Sequence, residues 1–156
     1  MVWRLTRPEF ANKLDGAGAR LFGGRWNSRG RSVIYTSSHL SLSVLEAYVN
    51  IPPELRDDLP VLQAVRLSVP DDATRRTVGP NEFAVLMKEA DPIPACRAIG
   101  DEWIEAQAAL VLVVPSILVP EETNLILNPA HSRMRDVAIV STRRFHFDSR
   151  LVASRT

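Results

Sequence analysis

Cysteine is almost missing from the chain. Cys96 is the single one, so no disulfide framework can form, and a reducing cytoplasm is the simplest home. Lysine is nearly as scarce, with only Lys13 and Lys88 among nineteen basic residues; the other seventeen are arginine. Eighteen acidic residues bring the net charge to +1, which argues against non-specific nucleic-acid binding as the main task. No apolar run has the length of a membrane span. The longest, AALVLVV at 108–114, suits a buried strand. The opening MVWRLTRPEF does not read as a signal peptide, because charge interrupts it before an apolar region develops. His39, His131, His146 and Cys96 show no metal-ligand spacing, and neither HExxH nor CxxC occurs. Ser116 lacks a GxSxG elbow, which speaks against a serine hydrolase.

What remains is the composition of an ordinary globular chain of 156 residues, 46% hydrophobic and 24% charged, read as a single domain over 1–156. Glycine and charge are unevenly spread. Residues 16–38, GAGARLFGGRWNSRGRSVIYTSS, hold five of the seven glycines together with Arg20, Arg25, Arg29 and Arg31. The codon usage of a GC-rich genome accounts for the arginine total. The clustering calls for a chemical reason, because a guanidinium can hold phosphate or carboxylate through two hydrogen bonds.

Local patterns predict VWRLT as a short strand, a turn-rich region through Gly30, and a strand over SVIYTS, 32–37. Ser37 or Ser38 can cap a helix over 39–50. Further expectations are a strand at 61–69, a helix at 81–90, and a helix from Pro94 to about Gln107 broken at Gly100, with Asp101 capping its second part. AALVLVV is expected as a central strand, and VAIVSTRRFHFDSRL as one or two more. Strands and helices do not alternate regularly, which favours an α+β fold over a doubly wound sheet.

Three places can carry chemistry. Gly23 and Gly24 allow a tight turn and close approach to a ligand, Arg25 can grip a phosphate, and Trp26 can shield it; the spacing fits neither a Walker loop nor a Rossmann fingerprint. On the 39–50 helix, Leu42, Leu45 and Val49 share one face, and Glu46 falls about 40° from Leu42 at roughly 100° per residue. A carboxylate leaning toward a core needs a partner, so Glu46 is either an active-site acid or one half of a salt bridge, and helix geometry alone favours the salt bridge. Ser116 follows the apolar strand, and Asn124 and Asn128 interrupt apolar residues four apart before Pro129. Locally Ser116 reads as a turn former and Asn128, before Pro129, as the start of a turn, with His131 bonding to backbone in a turn. Trp3, Trp26 and Trp103 read as core or pocket-wall residues.

The order of these segments is more telling than any one of them. VWRLT, GARLFGGRWNSRGRSVIYTSS, LSVLEAYVN, GDEWIEAQAALVLVVPSILVPEETNLILNPAHSR and FHFDSRL together resemble the RES domain family over about residues 2–151. The arginine, glutamate and serine that name that family correspond to Arg25, Glu46 and Ser116. GGRWN, VPS and N-x-L-x-N-P-x-H carry the likeness, while Asn50 stands where many relatives have histidine.

The resemblance implies a toxin of a bacterial toxin–antitoxin pair, held inactive by an Xre-type antitoxin, with a dimer bound to antitoxin suiting the family. It implies a fold similar to ADP-ribosyltransferases, a split, mostly antiparallel sheet with flanking helices around an NAD cleft. The implied activity is destruction of NAD+ at the nicotinamide–ribose bond, with inorganic phosphate or water as acceptor, and no metal or bound cofactor because NAD+ is the substrate. Glu46 then sits beneath the ribose to stabilise its positive charge. Arg4 and Arg25 hold the two phosphates, and Tyr35 stacks on nicotinamide or orients the ribose. Ser116 and Asn128 bond the sugar or the amide. No membrane and no direct nucleic-acid contact enter this picture. Transfer of ADP-ribose to a protein is the runner-up, weakened by Val44 where a second glutamate would be expected; a nucleic-acid module using the arginine loop comes third.

Overall fold

The apolar run that ends at Pro115 forms a strand covered on both faces, which explains why it is hydrophobic without alternation. In the computed structural model, residues 1–56 and 58–151 are described. They contain seven strands: β1 (Val2–Thr6), β2 (Ile34–Ser37), β3 (Leu62–Ser68), β4 (Arg75–Thr77), β5 (Val111–Pro115), β6 (Thr123–Leu127) and β7 (Ala138–Phe145). The helices are α1 (Ala17–Phe22), α2 (Leu40–Val49), α3 (Pro80–Leu86) and α4 (Ile93–Ala106). The strands form one sheet in the order β4-β5-β6-β2-β1-β3-β7. Among the described residues β4 and β5 pair in parallel and every other neighbouring pair is antiparallel, as the α+β expectation requires.

Side chains of β5 alternate between two cores. Val111 joins Val2, Ile34, Val65, Leu67 and Leu127 on one face. Leu112 and Val114 join Trp26, Cys96, Trp103, Ile104 and Ile126 on the other, where α3 and α4 pack. Each such fully buried aliphatic side chain contributes roughly 1.5–3 kcal/mol of transfer free energy. β5 is not central in the sheet, however. It stands second from the edge, because the unforeseen strand Arg75–Thr77 adds beside it.

Further expectations are corrected. α4 runs without a break through Gly100. That glycine is there for close approach: a Cβ would drive into the carbonyl of Trp26, so the helix backbone can lie directly against the glycine-rich loop here. Asp101 does not cap a helix; its carboxylate accepts from the Ser28 amide at 3.0 Å, again tying α4 to the loop. Neither Ser37 nor Ser38 caps α2, whose N-cap residue is His39, because Ser37 is taken up in β2. The turn-rich region also contains a short helix, α1, closed by Gly23 at φ +70°, a backbone region that glycine enters without strain. The 81–90 segment is helical only to Leu86, and the tail gives one strand, β7.

Candidate functional site

β1 and β2 lie side by side in the sheet but share a single register pair, Trp3 with Ser37. Their other partners are fuller: β1 matches β3 over five residues and β2 matches β6 over four. At this loose seam a cleft of about 590 Å³ opens, walled by Arg4 and Leu5 of β1 and by Tyr35, Thr36 and Ser37 of β2. The sheet is thus most loosely paired where the cleft lies. The glycine loop, α2, α4 and the turn after β5 complete the walls through Gly23, Gly24, Arg25, Glu46, Arg97 and Leu118.

Glu46 projects from α2 into this cleft. Its Oε1 accepts from Ser116 Oγ at 3.0 Å and from Asn124 Nδ2 at 2.6 Å. Among the described residues no hydrogen bond reaches Oε2 and no ion pair involves Glu46. The salt bridge favoured by helix geometry is therefore absent, and two neutral donors hold the carboxylate instead. The geometry misled because the Leu45 and Val49 stripe does not face the core: these residues are 36% and 41% exposed, while α2 turns Leu42 and Ser43 inward. Ser43 Oγ fastens that inner side to the Trp3 carbonyl at 2.9 Å.

Ser116 is fully buried at the end of β5 and is fixed from behind. Its Oγ accepts from the amides of Leu118 and Val119 at 3.1 and 3.2 Å, which orients its proton toward Glu46. It does not line the cleft, so it reaches any ligand through Glu46 rather than directly. Asn124 is oriented in turn by Ser37, whose Oγ donates to Oδ1 at 2.7 Å.

The loop on the opposite wall is clamped with equal care. Tyr35 Oη accepts from the Trp26 amide at 3.0 Å and donates to Asn27 Oδ1 at 2.8 Å. Burial pushes the Tyr35 phenol up to about 12, against the opposing pull of the Trp26 amide, Arg97 and Arg25. A Cβ on Gly24 would collide with this hydroxyl. The fully buried Asn27 spends its amide on the carbonyls of Ala19 and Arg31, both at 2.9 Å. Tyr35 thus presents its ring to the cleft while its hydroxyl is engaged in the loop.

Between these anchors Arg25 enters the cleft, and among the described residues it forms no ion pair. Beside it stands Arg97 of α4, also without an ion pair there, whose Nε donates to the Gly24 carbonyl at 2.8 Å. Sequence reading missed Arg97. The available signal was its spacing: Arg97 and Gly100 are three apart on α4 and both meet the glycine loop. Arg4 is buried and donates to the carbonyls of Lys13 at 3.1 Å and Phe10 at 2.5 Å. Burial lowers its pKa, with Asp15 opposing. It walls both the main cleft and a smaller cavity of about 160 Å³ behind it.

Asn128 does not belong to this assembly. It is fully buried outside the cleft, donates to the Ile104 carbonyl at 3.3 Å and accepts from the Ala130 amide at 3.0 Å. Its turn role, which its place before Pro129 already suggested, replaces the expected ligand contact. His131 likewise bonds to backbone, accepting from Arg133 N at 3.1 Å. Of the other loop arginines, Arg31 pairs with Glu105 at the surface, and neither Arg20 nor Arg29 lines the cleft.

A split, mostly antiparallel sheet with one glutamate facing a glycine-arginine loop defines an α+β protein built around a ligand cleft. A family model described as the RES domain matches residues 1–148, and the chain belongs to the RES domain family. It is 35% identical to the Prs ADP-ribosylating toxin of Sphingobium sp. (strain YBL2), over 96% of this chain and 95% of that protein. It is 36% identical to the Toxin Res of Yersinia enterocolitica, over 97% and 99%. The fold is similar to that in the crystal structure of the M. tuberculosis MbcT–MbcA toxin–antitoxin complex. There the TM-score is 0.70 at 19% identity, covering 92% of this chain and 82% of the other.

Proposed function

We propose that this chain is the enzymatic toxin of a toxin–antitoxin pair, acting in the cytoplasm, and that it degrades NAD+ by breaking the bond between nicotinamide and ribose. The observation that carries this reading is the charge layout of one cleft. Among the described residues Glu46 is the one carboxylate lining it, held by neutral donors, and Arg25 and Arg97 line it without ion pairs. A dinucleotide needs that combination. Its diphosphate takes guanidinium forks, and its ribose takes a carboxylate where positive charge develops.

In the reaction the bond from ribose C1 to the nicotinamide nitrogen breaks, and its electron pair leaves with neutral nicotinamide. The positive charge on the ribose is stabilised by Glu46. An oxygen of inorganic phosphate or of water then bonds to C1, and attacking water gives up a proton to solvent. Arg25 and Arg97 hold the diphosphate, Arg4 adds fixed charge at the seam, and the Tyr35 ring supports the nicotinamide end. NAD+ is substrate here, so no resident cofactor is invoked. An Xre-type antitoxin is the proposed partner, in keeping with the toxin–antitoxin complex that shares the fold.

The alternative is transfer of ADP-ribose to a protein, favoured by the name of the Sphingobium relative. Against it, Val44 occupies the position two residues before Glu46, where an acceptor-activating glutamate would stand. Product analysis of purified protein with NAD+, with and without phosphate, tests both. ADP-ribose 1″-phosphate formed only with phosphate means phosphorolysis, and free ADP-ribose means hydrolysis. Label from NAD+ appearing on lysate protein means transfer. Unchanged NAD+ in every arm overturns the proposal.

A further inference from the structure

Glu46 has two carboxylate oxygens, and both hydrogen bonds fall on the same one. An asparagine can present either an N–H or a carbonyl oxygen to its neighbour, and the two faces have opposite effects on a carboxylate. Here the carboxylate, which only accepts, selects the N–H face, and a third residue braces it. Asn124 Nδ2 donates to Glu46 Oε1 at 2.6 Å, while Ser37 Oγ donates to Asn124 Oδ1 at 2.7 Å. Ser37 is buried in β2 and pairs with Asn124 in the register between β2 and β6, so the two backbones hold the side chains opposite each other. Ser37 also occupies the single register pair that joins β1 to β2.

We infer that Ser37 and Asn124 are positioning residues for Glu46: the asparagine, braced by the serine, ties Oε1 back and leaves Oε2, which takes no donor among the described residues, for the ligand. The inference rests on the proposed NAD+ reaction for its kinetic readout only. A carboxylate with one oxygen anchored has its plane fixed, and a group displaced by about 1 Å can lose roughly 100-fold in rate. Ser116 restrains the same oxygen from the other side, so Oε1 is held between two donors.

Asn124→Asp keeps the side-chain shape but replaces the donor with a second carboxyl beside Glu46. Two acids that close share a proton and titrate as a pair. In this variant kcat should fall as pH rises through neutrality and recover toward acid pH, with KM for NAD+ changed less than threefold. Ser37→Ala removes the brace on Asn124 Oδ1, and should lower kcat roughly 10-fold at constant KM. The crystal structure of Asn124→Asp should show the Glu46 carboxylate turned away from position 124. A purely structural Asn124 would leave that carboxylate in place and the kinetic pH profile unmoved while lowering Tm, and this result overturns the inference. Unchanged kcat in Ser37→Ala does so as well. Wild-type protein that leaves NAD+ intact sinks the proposed reaction instead, and the position of the Glu46 carboxylate in the variant still decides the positioning role.

Discussion

Ser116 Oγ lies 3.0 Å from Glu46 Oε1 and takes the amides of Leu118 and Val119 on its other side. Ser116 is thus a bracket between a tight turn and Glu46. Ser116→Ala leaves two part-buried backbone amides without their side-chain acceptor, which costs about 1 kcal/mol. Thermal melting should show that loss, and NAD+ turnover should fall with it.

Glu46→Ala should behave differently. Among the described residues no cation pairs with this carboxylate, so its removal leaves only the neutral donors Ser116 and Asn124 without their acceptor. NAD+ consumption should drop by roughly 100- to 1000-fold, with growth arrest relieved in cells, while circular dichroism stays native. A Glu46→Ala protein that cannot fold would restore the structural role that helix geometry suggested.

Arg25 and Arg97 should both weaken substrate binding on substitution by alanine. A charged hydrogen bond contributes about 1.5–3 kcal/mol, so KM for NAD+ should rise by roughly 10- to 100-fold for each. Arg97→Lys should rescue little, because the Nε that meets the Gly24 carbonyl is lost with the guanidinium. If Arg97→Ala leaves KM unchanged, the arginine serves only the loop.

Tyr35 gives a pH signature. Its phenol titrates near 10 when unfolded and is pushed up to about 12 in the fold, so the folded state binds this proton more tightly. The associated stability is fully present below pH 10 and is lost as pH rises toward 12. Denaturant midpoints for the wild type should fall across that window. Tyr35→Phe should show a lower midpoint at neutral pH, from the loss of the Trp26 and Asn27 bonds, and a shallower decline above pH 10.

Gly100→Ala should destabilise the protein even though alanine favours helices by about 1 kcal/mol. The added methyl meets the Trp26 carbonyl, so α4 must move away from the loop that Arg97 and Asp101 also grip. A melting temperature at or above wild type would show that the helix shifts freely.

Local pattern carried the strands well. VWRLT, SVIYTS, the 61–69 segment and the apolar run before Ser116 all became strands, because alternation and β-branching act over a few residues. The order of GGRWN, VPS and N-x-L-x-N-P-x-H along the chain was enough to mark the family. Sequence also told the truth about Asn128 and His131 at the local level, where turn chemistry decides.

Tertiary packing decided the rest. Whether Glu46 meets an arginine or two neutral donors depends on β5, β6 and α2 converging, and no spacing along one helix encodes that. Arg97 became a cleft residue because Gly100 lets α4 approach the loop; alone in sequence it is one arginine among seventeen. Arg4 and Tyr35 line the cleft because β1 and β2 meet at one pair and then part. Periodicity reports which face of an element is apolar, but a site arises where faces of distant elements fail to close, and only the folded chain shows that gap.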